Sequence, residues 1–207
     1  GILWIGDEVM SGFGRTGKWF AYQHSAVEPD LIVFAKGVNS GYVPLGGVVI
    51  STPISESFND RVFPGGLTYS GHPLACAAAV ATSDVMKEEK IVEQAAEIGE
   101  KVIGPGLREL AKKHKVIGEV RGLGVFWALD LVTDRSSRAP LAPYGGTSPA
   151  MTALVNECKK RGLMPFTNFN RLHVVPPCNI TAEEAREGIA ILDAALGTIS
   201  NFYEGKD

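Results

Sequence analysis

The sequence is poor in the residues that staple or metallate a fold. Its 207 residues hold four histidines and three cysteines, Cys76, Cys158 and Cys178, an odd and widely spaced set without C-x-x-C. Such a set gives neither a disulfide framework nor a zinc-ligand spacing. No metal is expected, and the cytoplasm is the expected compartment. No basic run occurs and the net charge is −3, so nothing calls for nucleic acid or an anionic membrane surface. No apolar run reaches the ~18–20 residues of a membrane span. Internal repeats and low-complexity tracts are also absent. What is there is an ordinary globular composition, 45% hydrophobic and 21% charged, which supports a sizeable core.

Two apolar runs end in chemically capable side chains. Leu31-Ile-Val-Phe-Ala-Lys36-Gly37 reads as a buried strand that delivers an amine to the mouth of a site. The plainer reading is a strand-end lysine whose stem is buried and whose ammonium reaches water. Ile2-Leu-Trp-Ile-Gly-Asp7-Glu8-Val9 is a second such run, ending in carboxylates, where Asp7 alone would read as a strand-end cap. Together the two runs raise a sharper possibility, neighbouring strands that place a lysine and an aspartate around one cofactor. Because the chain opens inside a strand-like run and termini usually lie outside the core, material on the N-terminal side is expected.

Between these runs Ser11-Gly-Phe-Gly14-Arg15-Thr-Gly17 spells Gly-x-Gly-x-x-Gly, but no apolar helix period follows. Glycine here is expected to serve φ > 0 and close backbone approach. Residues 18–26 suggest a short helix, 47–51 a third strand, and 54–58 a short helix capped by Thr52 with Pro53 at its first position. A long loop over 63–73 feeds an Ala-rich helix from Leu74 to about Lys87, slim enough to pack close to a sheet or another helix. Residues 91–113 read as helix, with Ile91, Ala95, Ile98, Val102, Leu107 and Leu110 on one side. Two strands follow over 116–132, joined at Gly124, then a helix over 149–161 and a strand from Arg171 stopped by Pro176-Pro177. Thr181-Ala-Glu-Glu184 is a capping box that opens a last helix, with Ala185, Ile189, Leu192, Ala195 and Ile199 on one face. The expected class is α/β over residues 1–90, followed by an α+β module with antiparallel strands over 91–207.

Several motifs now stand in one order: Asp7-Glu-Val-x-Ser-Gly-x-Gly-Arg-x-Gly17, Pro29-Asp-Leu-x-x-x-Ala-Lys36-Gly37, Pro44-Leu-Gly-Gly and Thr68-Tyr-Ser-Gly-His-Pro73. In this the chain resembles the class III pyridoxal-phosphate-dependent aminotransferases, over essentially its whole length. The resemblance implies the fold of aspartate aminotransferase (fold type I): the C-terminal part of the large cofactor-binding domain, then the small C-terminal domain. It implies transamination from an ω-amino acid or amine donor to a keto acid, by a homodimer or a tetramer built from it. Other pyridoxal-phosphate reactions on the same scaffold, an aminomutase or a decarboxylase, are the alternatives, as is a catalytically incomplete piece acting only in dimerisation.

By the same resemblance Lys36 is the Schiff-base lysine and general base, and Asp7 pairs with the cofactor's pyridine nitrogen. The chemistry suits both: an amine nucleophile must be available neutral near pH 7, and a carboxylate keeps the ring nitrogen protonated, the better electron sink. Val9, two residues past Asp7 on an extended chain, is implied to pack on the cofactor ring. Thr68 is implied to bind the cofactor phosphate of the partner subunit. Met10 stands where members using 4-aminobutyrate or ornithine with 2-oxoglutarate usually have Gln, and this favours pyruvate as acceptor. The family's carboxylate-binding arginine would fall on His173, with Arg171 two residues earlier on the same face. Both are candidates for a substrate carboxylate or sulfonate, in a stretch similar to taurine–pyruvate-type members. Arg121 is expected to tie a strand turn to the helices. The family's phosphate cup and ring-stacking aromatic lie upstream of Asp7, so the chain is implied to be a C-terminal half.

Overall fold

A computed structural model describes residues 1–206 as two compact units, one from Gly1 to Gln94 and one from Ala95 onward. The first unit is built on a three-stranded sheet. Strand β1 (Ile5–Asp7) runs parallel to β2 (Leu31–Phe34), with Asp7 beside Val33, and β2 pairs antiparallel with β3 (Gly47–Ile50). Helix α1 (Thr52–Glu56) and helix α2 (Pro73–Glu88) follow.

Two strand expectations are corrected. β1 is short and mostly exposed, not a buried strand over 2–6: Ile2 is 98% and Ile5 58% accessible, because β1 hydrogen-bonds on one edge only, to β2. β2 is half-buried and ends at Phe34. The 18–26 helix shrinks to a 3₁₀ turn over Ala21–His24. Ser51, not Thr52, is the N-cap of α1, since Thr52 is already helical and Pro53 takes the second position. α2 buries Ala75 and Met86 and leaves Leu74, Val80 and Val85 exposed.

In the second unit α3 (Ile91–Ile98), which straddles the boundary, continues through a π-helical segment, Gly99–Ile103, into α4 (Gly104–Lys113). The π-turn inserts an extra residue. The apolar stripe therefore changes phase, and Ile103 is fully buried while Val102 is only half so. Gly99 is needed there: a Cβ would lie 1.9 Å from the Gly124 carbonyl oxygen.

The remaining strands form an antiparallel sheet. β4 (Ile117–Leu123), β5 (Phe126–Asp134), the short β6 (Ala139–Pro140), β7 (Phe166–Asn168) and β8 (Arg171–Val174) pair in the order β4-β5-β8-β7, with β6 on β5. Helix α5 (Pro149–Lys160) precedes β7 and is capped by the Ser148 hydroxyl, which accepts from the Met151 N–H at 3.2 Å. Helix α6 (Ala182–Gly197) closes the unit. Its capping box forms: Thr181 Oγ1 accepts from the Glu184 N–H, and the Glu184 carboxylate accepts from the Thr181 N–H at 2.9 Å. The core is the inward face of β5 and β8 (Trp127, Leu129, Leu131, Leu172) against Leu107, Leu154, Leu192 and Leu196. Among the described residues no helix is long and apolar enough to cross a membrane, and no cluster of metal-ligating side chains occurs.

Candidate functional site

In open sheets with parallel strands, ligands gather beyond the carboxyl ends of those strands. Here those ends carry Asp7 on β1 and, three residues past Val33, Lys36 just beyond β2. The register alone brings these two sequence-predicted residues to one edge. Lys36 opens a 3₁₀ turn (Lys36–Asn39) with φ +43°, a left-handed conformation that costs a non-glycine residue free energy and recurs at functional sites. Its ammonium is exposed and has no hydrogen-bond or ion-pair partner among the described residues.

What holds Lys36 in that conformation is packing beneath it. Phe13, itself at φ +56°, sits against Gly37 so closely that a Cβ there would come within 2.7 Å of the Phe13 Cβ. The Phe13 ring contacts Phe20 at 5.3 Å and Phe34 at 6.0 Å between centroids. The glycine-rich loop thus forms an aromatic floor under the β2 end, and Gly14 and Gly17, both at positive φ, let it turn back. On the far side Asn39 is buried, and its amide spans the following loop by donating to the Val43 carbonyl and accepting from the Gly41 N–H.

Asp7 is exposed, and its Oδ1 accepts from the Val9 N–H at 3.2 Å. No protein group engages its other oxygen among the described residues. The strand ends at Asp7, so Val9 lies in a turn and the alternation of an extended chain does not reach it. Val9 is half-buried. Thr68 lies in an exposed turn ahead of α2, tied by the Ser70 N–H to the Leu67 carbonyl. The structure does not bring Thr68 together with Asp7 and Lys36 by any hydrogen bond.

Sequence reasoning missed Glu8. It is 4% exposed, and its carboxylate accepts from the Ser11 hydroxyl, from the Ala21 N–H at 2.8 Å and from the Tyr22 N–H at 2.7 Å. The available signal was strand alternation: with Asp7 facing out, Gly6 and Glu8 must face in.

In the second unit, register sets two ladders on the outward face of the sheet. Glu119, Asp130, Arg171 and Asn168 stand side by side, as do Arg121, Ala128, His173 and Phe166. Arg121 pairs with Asp130 and lies 3.9 Å from Glu119, so it ties strand to strand and not strand to helix. That leaves the Arg171 guanidinium without a committed partner among the described residues. His173 stacks at a tilt on Phe166, 5.2 Å between centroids, and its Nε2 is buried with no partner. Burial lowers the His173 pKa, Arg171 pushes the same way, and Asp130 opposes them. Beside this strand a cavity of about 390 Å³, lined chiefly by apolar residues of β8, the Pro176-Pro177 segment and α6, opens within the unit.

The donor set at the β1–β2 edge, an exposed amine and a carboxylate with an open oxygen at the ends of adjacent strands, suits a cofactor that pairs an electrophilic carbon with a protonatable ring nitrogen. Residues 1–196 match the family model for class-III aminotransferases. The 5-aminovalerate aminotransferase of Pseudomonas aeruginosa is 40% identical over 197 residues, 93% of this chain and 43% of that protein. The taurine–pyruvate aminotransferase of Bilophila wadsworthia is 34% identical over 215 residues, 98% of this chain and 46% of that protein. A solved taurine:2-oxoglutarate aminotransferase from Bifidobacterium kashiwanohense, in complex with PLP and glutamate, superposes with TM-score 0.91 at 43% identity. It is covered to 45% of its length by 97% of this chain. The chain therefore spans less than half the length of the relatives it matches.

Proposed function

The chain belongs to the class-III aminotransferase family, and from that premise we propose that it carries the lysine-bearing part of a pyridoxal-phosphate-dependent aminotransferase. The reaction moves an amino group from an ω-amino acid or amine donor to a keto acid, with pyruvate favoured. One observation carries the reading: a partner-free Lys36 amine and an open Asp7 oxygen stand at the carboxyl ends of adjacent parallel strands. Pyridoxal phosphate, when bound, supplies an electron sink for the charge left on a substrate carbon that has lost its proton. The rest is done by side chains. Lys36 Nζ anchors the cofactor and later takes and returns the proton at the substrate's amine-bearing carbon. The Asp7 carboxylate accepts from the ring nitrogen's proton and holds it there. Val9 packs on the ring, and Thr68 binds the phosphate of a neighbouring subunit, which makes the working unit a homodimer in the cytoplasm.

For the substrate's acidic end we propose Arg171 as the cation. Arg121 already occupies Asp130, and His173, held toward its neutral form, is left to offer a hydrogen bond from Nε2. The relatives' substrates, 5-aminovalerate and taurine, share an amine remote from an acid group, which fits this division. The acceptor separates the readings: Met10 favours pyruvate, whereas the Bifidobacterium relative is a 2-oxoglutarate enzyme. The test gives the intact protein taurine or 5-aminovalerate with each keto acid and measures the amino acid formed. Alanine from pyruvate is expected. Glutamate without alanine would overturn the acceptor assignment, and no amino acid from either would overturn transamination.

A further inference from the structure

We propose that Glu8 is a positioning residue for Asp7, an inference that rests on the reading of Asp7 and Lys36 as cofactor residues. The observations concern the backbone on both sides of Asp7. The Glu8 N–H donates to the Val33 carbonyl at 2.9 Å, which locks the end of β1 to β2 just before the turn that carries Lys36. The Glu8 carbonyl accepts from the Gly12 N–H at 2.9 Å and so starts the glycine-rich loop. The buried carboxylate takes three donors, one at the start of that loop and two from beyond it. Ser11 Oγ and the Ala21 N–H share Oε2, while the Tyr22 N–H takes Oε1.

Two of those donors are the first N–H groups of the 3₁₀ turn over Ala21–His24, which has no side-chain cap from its own N-cap residue, Phe20. Glu8 supplies that cap from 13 residues away. A buried carboxylate is tolerated only where its oxygens are hydrogen-bonded, and here three donors engage both. The loop between Glu8 and Ala21 carries Phe13, the residue that packs on Gly37. One residue, through its backbone and its carboxylate together, therefore clamps the Asp7 end of β1, the aromatic floor and the Lys36 turn into a single geometry. A shift at Glu8 must tilt Asp7, and the Asp7 Oδ1 contact to the Val9 N–H spans Glu8 itself.

The experiment compares Glu8→Gln, Ser11→Ala, Asp7→Asn and wild type in the intact protein, reading pyridoxal-phosphate affinity and the pH midpoint of the bound cofactor's absorbance. Amide exchange at Ala21 and Tyr22 in the cofactor-free protein is followed in parallel. Gln keeps the shape of Glu8 but turns one acceptor oxygen into a donor NH₂ that faces another N–H. The expected result is about 10–100-fold weaker cofactor binding, faster exchange at Ala21 and Tyr22, and a displaced absorbance midpoint in the direction Asp7→Asn displaces it. Ser11→Ala removes one of the three donors and should give a smaller change of the same sign, a readout that survives if Glu8→Gln fails to fold. If Asp7→Asn moves affinity and midpoint while the two Glu8-centred variants move neither, Glu8 is structural only and the proposal is overturned. If Asp7→Asn moves nothing, the cofactor reading of Asp7 falls, and the proposal falls with it.

Discussion

Replacing Gly99 by Ala should be among the most costly single-methyl additions in the second unit. The new Cβ would lie 1.9 Å from the Gly124 oxygen and 2.3 Å from its carbonyl carbon, both backbone atoms. Restoring ordinary contact requires a retreat of about 1.5 Å by the helix or by the β4–β5 turn. Neither can yield cheaply. The Gly124 carbonyl accepts from Trp127 Nε1 at 2.7 Å, and Trp127 is 5% exposed, so moving the turn strands a buried indole N–H. Overpacking costs about 1–3 kcal/mol and the stranded donor about 1–3 kcal/mol, against a gain of about 1 kcal/mol in helix propensity, for a net loss of roughly 1–5 kcal/mol. At roughly 2–4 °C per kcal/mol for a chain of this size, the unfolding midpoint falls by about 2–20 °C. The matched control is Gly188→Ala in α6, where nothing lies within 4 Å of the new Cβ; it should gain about 0.5–1 kcal/mol. Urea unfolding followed by far-UV circular dichroism measures both. A Gly99→Ala protein within about 0.5 kcal/mol of wild type, well below the overpacking range, would refute the close approach on which the argument rests.

Three further outcomes follow from named contacts. Arg135 donates to the backbone carbonyls of Ala111, His114, Lys115 and Ile117 and so closes the C-terminus of α4; Arg135→Met should destabilise by about 2 kcal/mol in the same urea assay. Asp193 is held below the ordinary carboxylate range by hydrogen bonds from Lys113 first and His114 second. Its unfolded state takes up a proton before the folded one, so the stability it adds is fully present above pH ~4 and is lost as pH falls toward the depressed folded value. Asp193→Asn should therefore flatten the acid limb of stability against pH. Burial, with Glu157 adding to it, pushes the Cys158 thiol up to about 11, so at pH 8 a maleimide should label the exposed Cys76 and leave folded Cys158 untouched.

Features written in local chemistry were legible in the sequence. The capping box at Thr181 and Glu184 and the face of α6 depend on residues three and four apart. The end of β1 at Asp7 depends on where an apolar run stops, and so, to within two residues, does the end of β2 ahead of Lys36. What escaped depends on contacts between distant segments. Nothing near Gly99 signals a π-turn; the close approach there is to Gly124, 25 residues on, and the helical period read straight through gives the wrong phase for Ile103. Alternation turns Glu8 inward, but the groups that receive its carboxylate, the N–H groups of Ala21 and Tyr22, come from a distant segment. β1 reads as buried because its residues are apolar, yet burial is a property of neighbours, and among the described residues β1 pairs with β2 alone. Arg121 was misassigned for a related reason, since its partner Asp130 becomes a neighbour only through the β4–β5 register.

The central claim is that Lys36 anchors the cofactor, and one measurement tests it directly. The intact protein is incubated with pyridoxal phosphate, reduced with borohydride, digested and mapped by mass spectrometry, beside Lys36→Arg treated in the same way. The account predicts a stable pyridoxyl adduct on Lys36 and none in the variant. Bound cofactor with the adduct on another lysine, or an undiminished adduct in Lys36→Arg, would contradict it.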